Sequence, residues 1–425
     1  MAAISADPQS NSEARGLVPG PAKPAGLGLI AIMALGQFGL FLALLTPVFS
    51  SLAIKIQTLV PVPEAVGALG LVSSLGAVAA FLANPVFGRI SDRTTGRFGR
   101  RRPWLVLGAL GLIAGLAVIA TATSVAVIAV GWFFSQMAAN AAYAAYNASI
   151  ADQVPSSQRG KVTALVGVMV NLSILGAAYA AEFLGTRMLQ LFLVPSVIGL
   201  VLVLIYVVVL PDRPLPQRPP SEGWRTVVKT FWVSPRQHPD FAWVFTSRFA
   251  VILASFMFTT FRLLFIQHQL HLDTAKSVSV MATGVLIYTI VLMVSGQIAG
   301  WASDRLRRRK VFVVMASLIF GLGTAQLLMV GSVGSFYVAE AVLGLGFGIY
   351  TGVDMALVLD VLPNPDDAAK DLGVFNIASA APQALAPALG GALFGVSGNY
   401  GLLLGVAAGI CVLGALAILP VKKVR

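Results

Sequence analysis

Apolar runs long enough to cross a bilayer recur twelve times along this 425-residue chain, and that recurrence confines it to a membrane fold. A helical span needs about 20 apolar residues, and in hydrocarbon each backbone polar group has to be satisfied within its own segment. The runs fall at 27–52, 64–88, 103–123, 125–150, 161–184, 188–210, 242–267, 276–300, 311–331, 334–361, 371–396 and 399–420. Only 11% of the residues are charged, against about 25% in a soluble domain, so the surface of a soluble protein could not be covered. The expected class is an all-α membrane protein with 12 transmembrane helices. A soluble enzyme of two or three domains is excluded.

The net charge of +12 would raise the question of nucleic acid in a soluble protein. Here the Lys and Arg residues collect in short stretches between apolar runs: after runs 2, 4, 6, 8 and 10 and at both termini. Under the positive-inside rule these stretches are cytoplasmic. With an even number of spans, both termini are expected inside, in a multi-pass protein of the inner cell membrane whose partner is the lipid bilayer and not nucleic acid. Residues 1–26 are polar and lack the basic start and short apolar core of a signal peptide, so a disordered cytoplasmic tail is expected. The Pro-rich stretch 211–240 is the one long polar break; it separates six spans at 27–210 from six at 241–425. Cys411 is the single cysteine and permits no intrachain disulfide.

The two halves repeat. GRISDR at 88–93 returns as GWASDR at 300–305, an offset of 212, and Asp152-Gln153-Val154-Pro155 returns as Asp360-Val361-Leu362-Pro363, an offset of 208. Two matches at nearly one offset indicate duplicated bundles. Gly88 and Gly300 would let helices approach closely, Asp92 and Asp304 would accept hydrogen bonds near a helix N-terminus, and Arg93, Arg100, Arg101 and Arg305 would pair with carboxylates such as Asp152 and Asp360 or with anionic headgroups. These residues are the expected gate.

The doubled loops resemble the signature of the major facilitator superfamily, and the resemblance covers essentially the whole chain. More narrowly, SDRTTGRFGRRRP resembles the form found in sucrose–proton symporters and the related glycoside–cation symporters, and IADQVPSSQRGK points the same way. The resemblance implies two pseudo-symmetric six-helix bundles around a central cavity, alternating access, a small-molecule substrate such as a sugar or glycoside, coupling to H+, a monomer and no cofactor. One departure stands out: Gln136 occupies the place where the sucrose symporters carry a coupling carboxylate, so that residue's role cannot be carried over.

Polar residues inside the spans are costly in lipid unless they meet a partner or a wet cavity. Gln136, Asn140, Tyr143 and Asn147 fall on one face of span 4; Asn376, Ser379 and Gln383 share a face of span 11. Amides and aromatic rings suit a neutral polyol, so these residues, with Tyr350 and Arg262, are the expected substrate contacts. Of the ionisable residues Glu182, Arg248, Arg262, Glu340 and Asp354, Asp354 is the expected coupling carboxylate or the partner of an arginine, with Glu182 next. Glu340 and Glu182 lie toward the outer helix ends, where a solvated rim position is equally compatible. No Gly-x4-Gly-Lys-Ser/Thr, Gly-x-Ser-x-Gly or His-Glu-x-x-His occurs, so neither an ATP-driven pump nor an enzyme is expected. The competing readings are a proton-coupled exporter of drugs or secondary metabolites, prompted by Pro387-Ala388-Leu389-Gly390-Gly391, and a non-transporting membrane sensor on the same fold.

Overall fold

A computed structural model describes residues 24–212, 214, 233–362, 368–422 and 424. Twelve apolar helices long enough to span a membrane are present among them. The first six are α1 (Leu27–Gln57), α2 (Val62–Asp92), α3 (Arg102–Thr121), α4 (Val125–Gln153), α5 (Ser156–Leu184) and α6 (Met188–Val209). The second six are α7 (Pro239–Thr259), α8 (Thr274–Leu306), α9 (Arg309–Met329), α10 (Val333–Val361), α11 (Ala368–Ser397) and α12 (Tyr400–Ile418). Local chemistry marks their ends. Pro63, Pro103 and Pro239 sit in first turns, where their missing N–H costs nothing. Ser332 and Ser335 form a capping box at α10, and Asp273 caps α8 by accepting from Lys276 N at 2.9 Å.

The expected spans are recovered, with two instructive differences. Helix α2 continues to Asp92 and α8 to Leu306, so both repeated motifs are the last turns of long helices and not free loops. Span 7 is not one helix: it breaks at Thr260–Phe261 and resumes as a short helix, Arg262–Leu270. The expected tail (1–26) lies outside the described residues up to position 23, and most of the expected linker (211–240) lies outside them too.

The packing is duplicated. In the first half α2 packs on α4, α3 on α4 and α6, and α1 on α5 and α6. In the second half α8 packs on α10, α9 on α10 and α12, and α7 on α11 and α12. Between the halves the extensive contacts are α2 with α11 and α5 with α8. Both meet at the membrane end opposite the arginine-rich loops. There Val66, Gly67 and Gly70 of α2 face Pro387 and Gly391 of α11, and Glu182 of α5 accepts a hydrogen bond from Ser279 of α8 at 2.8 Å. The two membrane ends are called below the basic end and the far end.

Candidate functional site: a cleft in the first bundle, two clasps and two buried ion pairs

At the basic end each bundle is tied by one arginine held between two aspartates. In the first, Arg101 contacts Asp92 at 2.6 Å and Asp152 at 2.9 Å and donates to Ser91 Oγ at 2.9 Å, while Arg100 adds a 2.5 Å bond to Asp152. Burial works against the charge of Arg101, but its bond and attraction to Asp152, then Asp92, outweigh that and hold it above the ordinary arginine range. In the second bundle Arg309 reaches Asp304 at 3.0 Å and Asp360 at 2.6 Å. The next residue ties down the sixth helix of each bundle: Arg102 donates to Leu210 O, and Lys310 Nζ donates to Leu419 O and Val421 O.

The expected acids all take part; the expected bases do so in part. Arg305 stacks over Trp301, with its guanidinium 5.5 Å from the ring centre, and the bridging base is Arg309, which hides in the run of four basic residues at 307–310. Arg93 is half-buried and belongs to neither clasp. Asp212 was also missed: it accepts from the backbone N–H groups of Arg101 and Arg102 at 2.6 and 3.0 Å, at the start of α3. That bond requires Gly99, whose φ of +91° and lack of a side chain leave room for the Asp212 carboxylate. The reading of Gly88 is corrected. A Cβ there would meet only Ala144 Cβ, at an ordinary 3.9 Å, so no close approach depends on it. In the second bundle the close approach is real: Gly296 and Gly300 of α8 lie against the backbone of Gly348 and Gly352 of α10.

One cleft belongs to the first bundle alone. A cleft of about 360 Å³ lies along α1, α4 and α5, from Gln37 and Val170 at mid-membrane to Arg159 at the basic end, and Tyr143, Asn147 and Thr163 also line it. Two of the four expected span 4 residues therefore face it. The other two face each other: Asn140 Nδ2 donates to Gln136 O at 2.9 Å and to Gln136 Oε1 at 3.3 Å, and both are buried. Gln37 escaped the sequence reading because it is a lone amide in an apolar run. It is 1% exposed, and its Oε1 has no hydrogen-bond partner among the described residues.

On the second bundle the corresponding helices carry charge. Asp354 of α10 binds Arg248 of α7 and accepts from Tyr350 Oη at 2.8 Å; Arg248 donates to Ser379 Oγ of α11 at 2.7 Å and lies over the Phe375 ring. The pair keeps some access to water, with side chains 17% and 9% exposed. Tyr350 is buried as the phenolic support of Asp354, so its expected place among the substrate contacts is not met. On α11 Asn376 is exposed and Gln383 half-buried.

Arg262 is corrected as well. It lies 2.9 Å from Glu340 and between the rings of Phe258 and Tyr288, with exposures of 2% for the arginine and 0% for the glutamate. The break in α7 swings Arg262 away from the face that one unbroken helix would have given it beside Arg248. Glu340 is thus an interior group and not a rim residue. Glu182 does sit at the far end, half-buried, in the contact between bundles.

Comparisons with known proteins agree with this duplicated architecture. The structure is similar to that of the nucleoside transporter NupG, with a TM-score of 0.70 at 14% identity over 93% of this chain and 99% of that one. It is similar too to a bacterial homolog of the human lysosomal transporter Spinster solved in an inward-facing, unoccupied conformation, with a TM-score of 0.68 at 12% identity over 94% of each chain. At these identities the likeness is one of fold. In sequence, 117 residues are 30% identical to the uncharacterized MFS-type transporter YfiU of Bacillus subtilis (strain 168), which is 28% of this chain and 22% of that protein. The decisive match spans nearly everything: the pattern of the Major Facilitator Superfamily fits residues 26–301 and again 277–425. Twelve spans, a doubled basic-end clasp and that match together place the chain in the Major Facilitator Superfamily of membrane transporters.

Proposed function

We propose that the protein is a secondary transporter that moves a neutral, hydroxyl-rich solute, a sugar or glycoside, by alternating access, and that Asp354 couples the movement to protons. The observation that carries this reading is the division of labour across the centre: a cleft lined by Gln37, Tyr143, Asn147 and Thr163 on the first bundle, and one half-wet Arg248–Asp354 pair on the second. Amides, a phenol and a hydroxyl recognise hydroxyls by exchange of hydrogen bonds, and a site rich in them rejects a solute that leaves them unpaired. A carboxylate balanced by one arginine can exchange that partner for a proton, which gives two charge states to cycle.

With the basic end inside, as the distribution of Lys and Arg supports, the far-end contacts give the structure an inward-open arrangement. The clasps then lie within single bundles, leaving the cleft free toward the cytoplasm. Pro387–Gly391, the stretch that prompted the exporter reading, packs against Gly70 at the far end and so has a structural use of its own. A nucleoside is the second reading. It is favoured by Tyr143, edge-on to Phe41 at 5.2 Å beside the cleft, where a base could stack, and by the fold shared with NupG.

The test is uptake in proteoliposomes with labelled sugars and nucleosides under an imposed pH gradient. Asp354→Asn should abolish accumulation and retain exchange of labelled for unlabelled solute, because exchange needs only the rocking motion. Accumulation by Asp354→Asn at the wild-type level would move the coupling site elsewhere, with Glu182 next, and wild-type uptake blind to the gradient would make the protein a facilitator.

A further inference from the structure

Span 7, that is α7 and the short helix Arg262–Leu270 after its break, runs antiparallel to α10, and the seam between them is bridged twice. Arg248 meets Asp354 toward the basic end, and Arg262 meets Glu340 toward the far end. Fourteen residues separate the two members on each strand of the seam, about 21 Å along α10 at 1.5 Å per residue. The bridges differ in their access to water. The first is partly wet, whereas the second is sealed at 2% and 0% exposure. Although Arg262 Nε stands 2.9 Å from Glu340 Oε1, neither oxygen of Glu340 makes a hydrogen bond among the described residues. The groups that face Glu340 are few. Arg262 comes from the broken end of α7 and the Tyr288 phenol from α8, where Gly284 makes room for the Glu340 side chain; α9 presents Phe320 and Gly323 to α10.

The position of the pair gives it leverage. Phe261, the residue before Arg262, is the break in α7, and its ring lies against Gly70 of α2 and Gly390 of α11, within the contact that closes the far end. Holding Arg262 therefore holds Phe261 in the gate.

We propose that Arg262–Glu340 is a proton-binding site that governs the far-end gate. While Glu340 is ionised it retains Arg262, and Phe261 stays seated. When a proton from the far-side water binds Glu340, Arg262 is left as a lone cation in a dry site, an arrangement that burial opposes. The guanidinium turns to the far-side water, the break in α7 moves and the gate opens; on closure the proton returns to the same water as Arg262 reclaims the carboxylate. Low far-side pH thus favours the open far end. This inference rests on the alternating-access reading but not on proton coupling at Asp354, nor on the identity of the solute.

The experiment measures gate opening directly and without substrate. Spin labels are placed at Val62→Cys of α2 and Val396→Cys of α11, both exposed at the far end, in a Cys411→Ala background, and the distance distribution is recorded from pH 5 to 9. The ratio of open to closed far end should rise as pH falls, by up to tenfold per pH unit for one proton. Glu340→Gln should hold the gate in its low-pH distribution at every pH. Arg262→Met should reverse the sign, because without the arginine a neutral Glu340 is the form that buries most easily, so low pH should close the gate. His268→Gln, at the far end beside Phe394 and Tyr400, should keep the wild-type response. A wild-type distribution that ignores pH, a Glu340→Gln protein that titrates as wild type does, or a response that vanishes with His268 would each overturn the proposal. If Glu340→Gln does not fold, the reversed sign in Arg262→Met decides, since a purely structural role for the pair offers no reason for it.

Discussion

The two bundles are copies in their backbone and opposites in their interiors. Both tie their basic ends with one arginine between two aspartates, and both anchor the sixth helix with the next basic residue. Yet apart from the clasp and from Lys55, whose ammonium donates to Ala120 O at 3.0 Å near the far end, the polar groups inside the first are neutral, with Gln37, Gln136, Asn140, Tyr143 and Asn147, whereas the second holds two arginine–carboxylate pairs. Asp354 has Tyr146 as its repeat mate. Duplication has kept what a bundle needs to close its ends and has released the interior to diverge, one side toward hydrogen bonding and the other toward charge. Ionisable groups inside a membrane are costly enough that two sealed or half-wet arginine–carboxylate pairs on one seam of the second half, with no mid-membrane ion pair among the described residues of the first, have the marks of function and not of scaffold.

The clasps are the place to break this comparison with the largest effect. Arg101 is 4% exposed and Arg309 24%. Arg101→Ala should cost about 1.5–3 kcal/mol, because a buried guanidinium loses its charged bonds to Asp92 and Asp152 and its bond to Ser91 while Arg100 stays on Asp152; Arg309→Ala should cost about 1 kcal/mol or less, as exposed pairs do. Thermal unfolding in detergent reads both, and equal losses would show that the clasps are equivalent after all.

Helix contact comes next. At Gly352→Ala the new Cβ would run into Gly296 O, so the α8–α10 seam must shift, at about 1–3 kcal/mol for overpacking. Gly88→Ala, with room for its methyl group, should stay within about 0.5 kcal/mol of wild type. If Gly88→Ala proved the worse of the two, the first motif would need its glycine in a state with a tighter α2–α4 contact.

A smaller effect concerns solute affinity. Gln37→Ala and Asn147→Ala should each weaken equilibrium binding of the transported solute by about 1–1.5 kcal/mol, the scale of one buried hydrogen bond, or roughly five- to tenfold. An equal loss from Asn376→Ala on α11 would place the solute between the bundles and not mainly on the first. The smallest change is expected at Asn140→Ala, about 0.5 kcal/mol, because its amide is already satisfied within α4.

Much of the candidate site was legible before any fold was known. Asp92, Asp152, Asp304 and Asp360 stood out because they recur at one offset, and Tyr143 and Asn147 because a polar stripe on an apolar helix is expensive. Arg309 was hidden in a run of bases, Gln37 by its isolation, and Asp212 because it acts on the backbone of a loop more than a hundred residues away. Arg262 was misplaced among the substrate contacts because 242–267 reads as one span, and the break inside it has neither proline nor glycine to announce it: the residues there are Thr259, Thr260 and Phe261.

The sequence by itself determined the twelve spans, their division six and six, the duplication and the acids at the basic end. These rest on local free energies of transfer and on spacing, which the chain carries in one dimension. Only the tertiary structure decided which arginine meets which carboxylate, which half of the span 4 stripe faces the cleft, and which membrane end is closed. Pairing of that kind is set by the approach of helices distant in the chain. Two arginines and two carboxylates at equal spacing on antiparallel helices can be matched only when the register and the break in α7 are known.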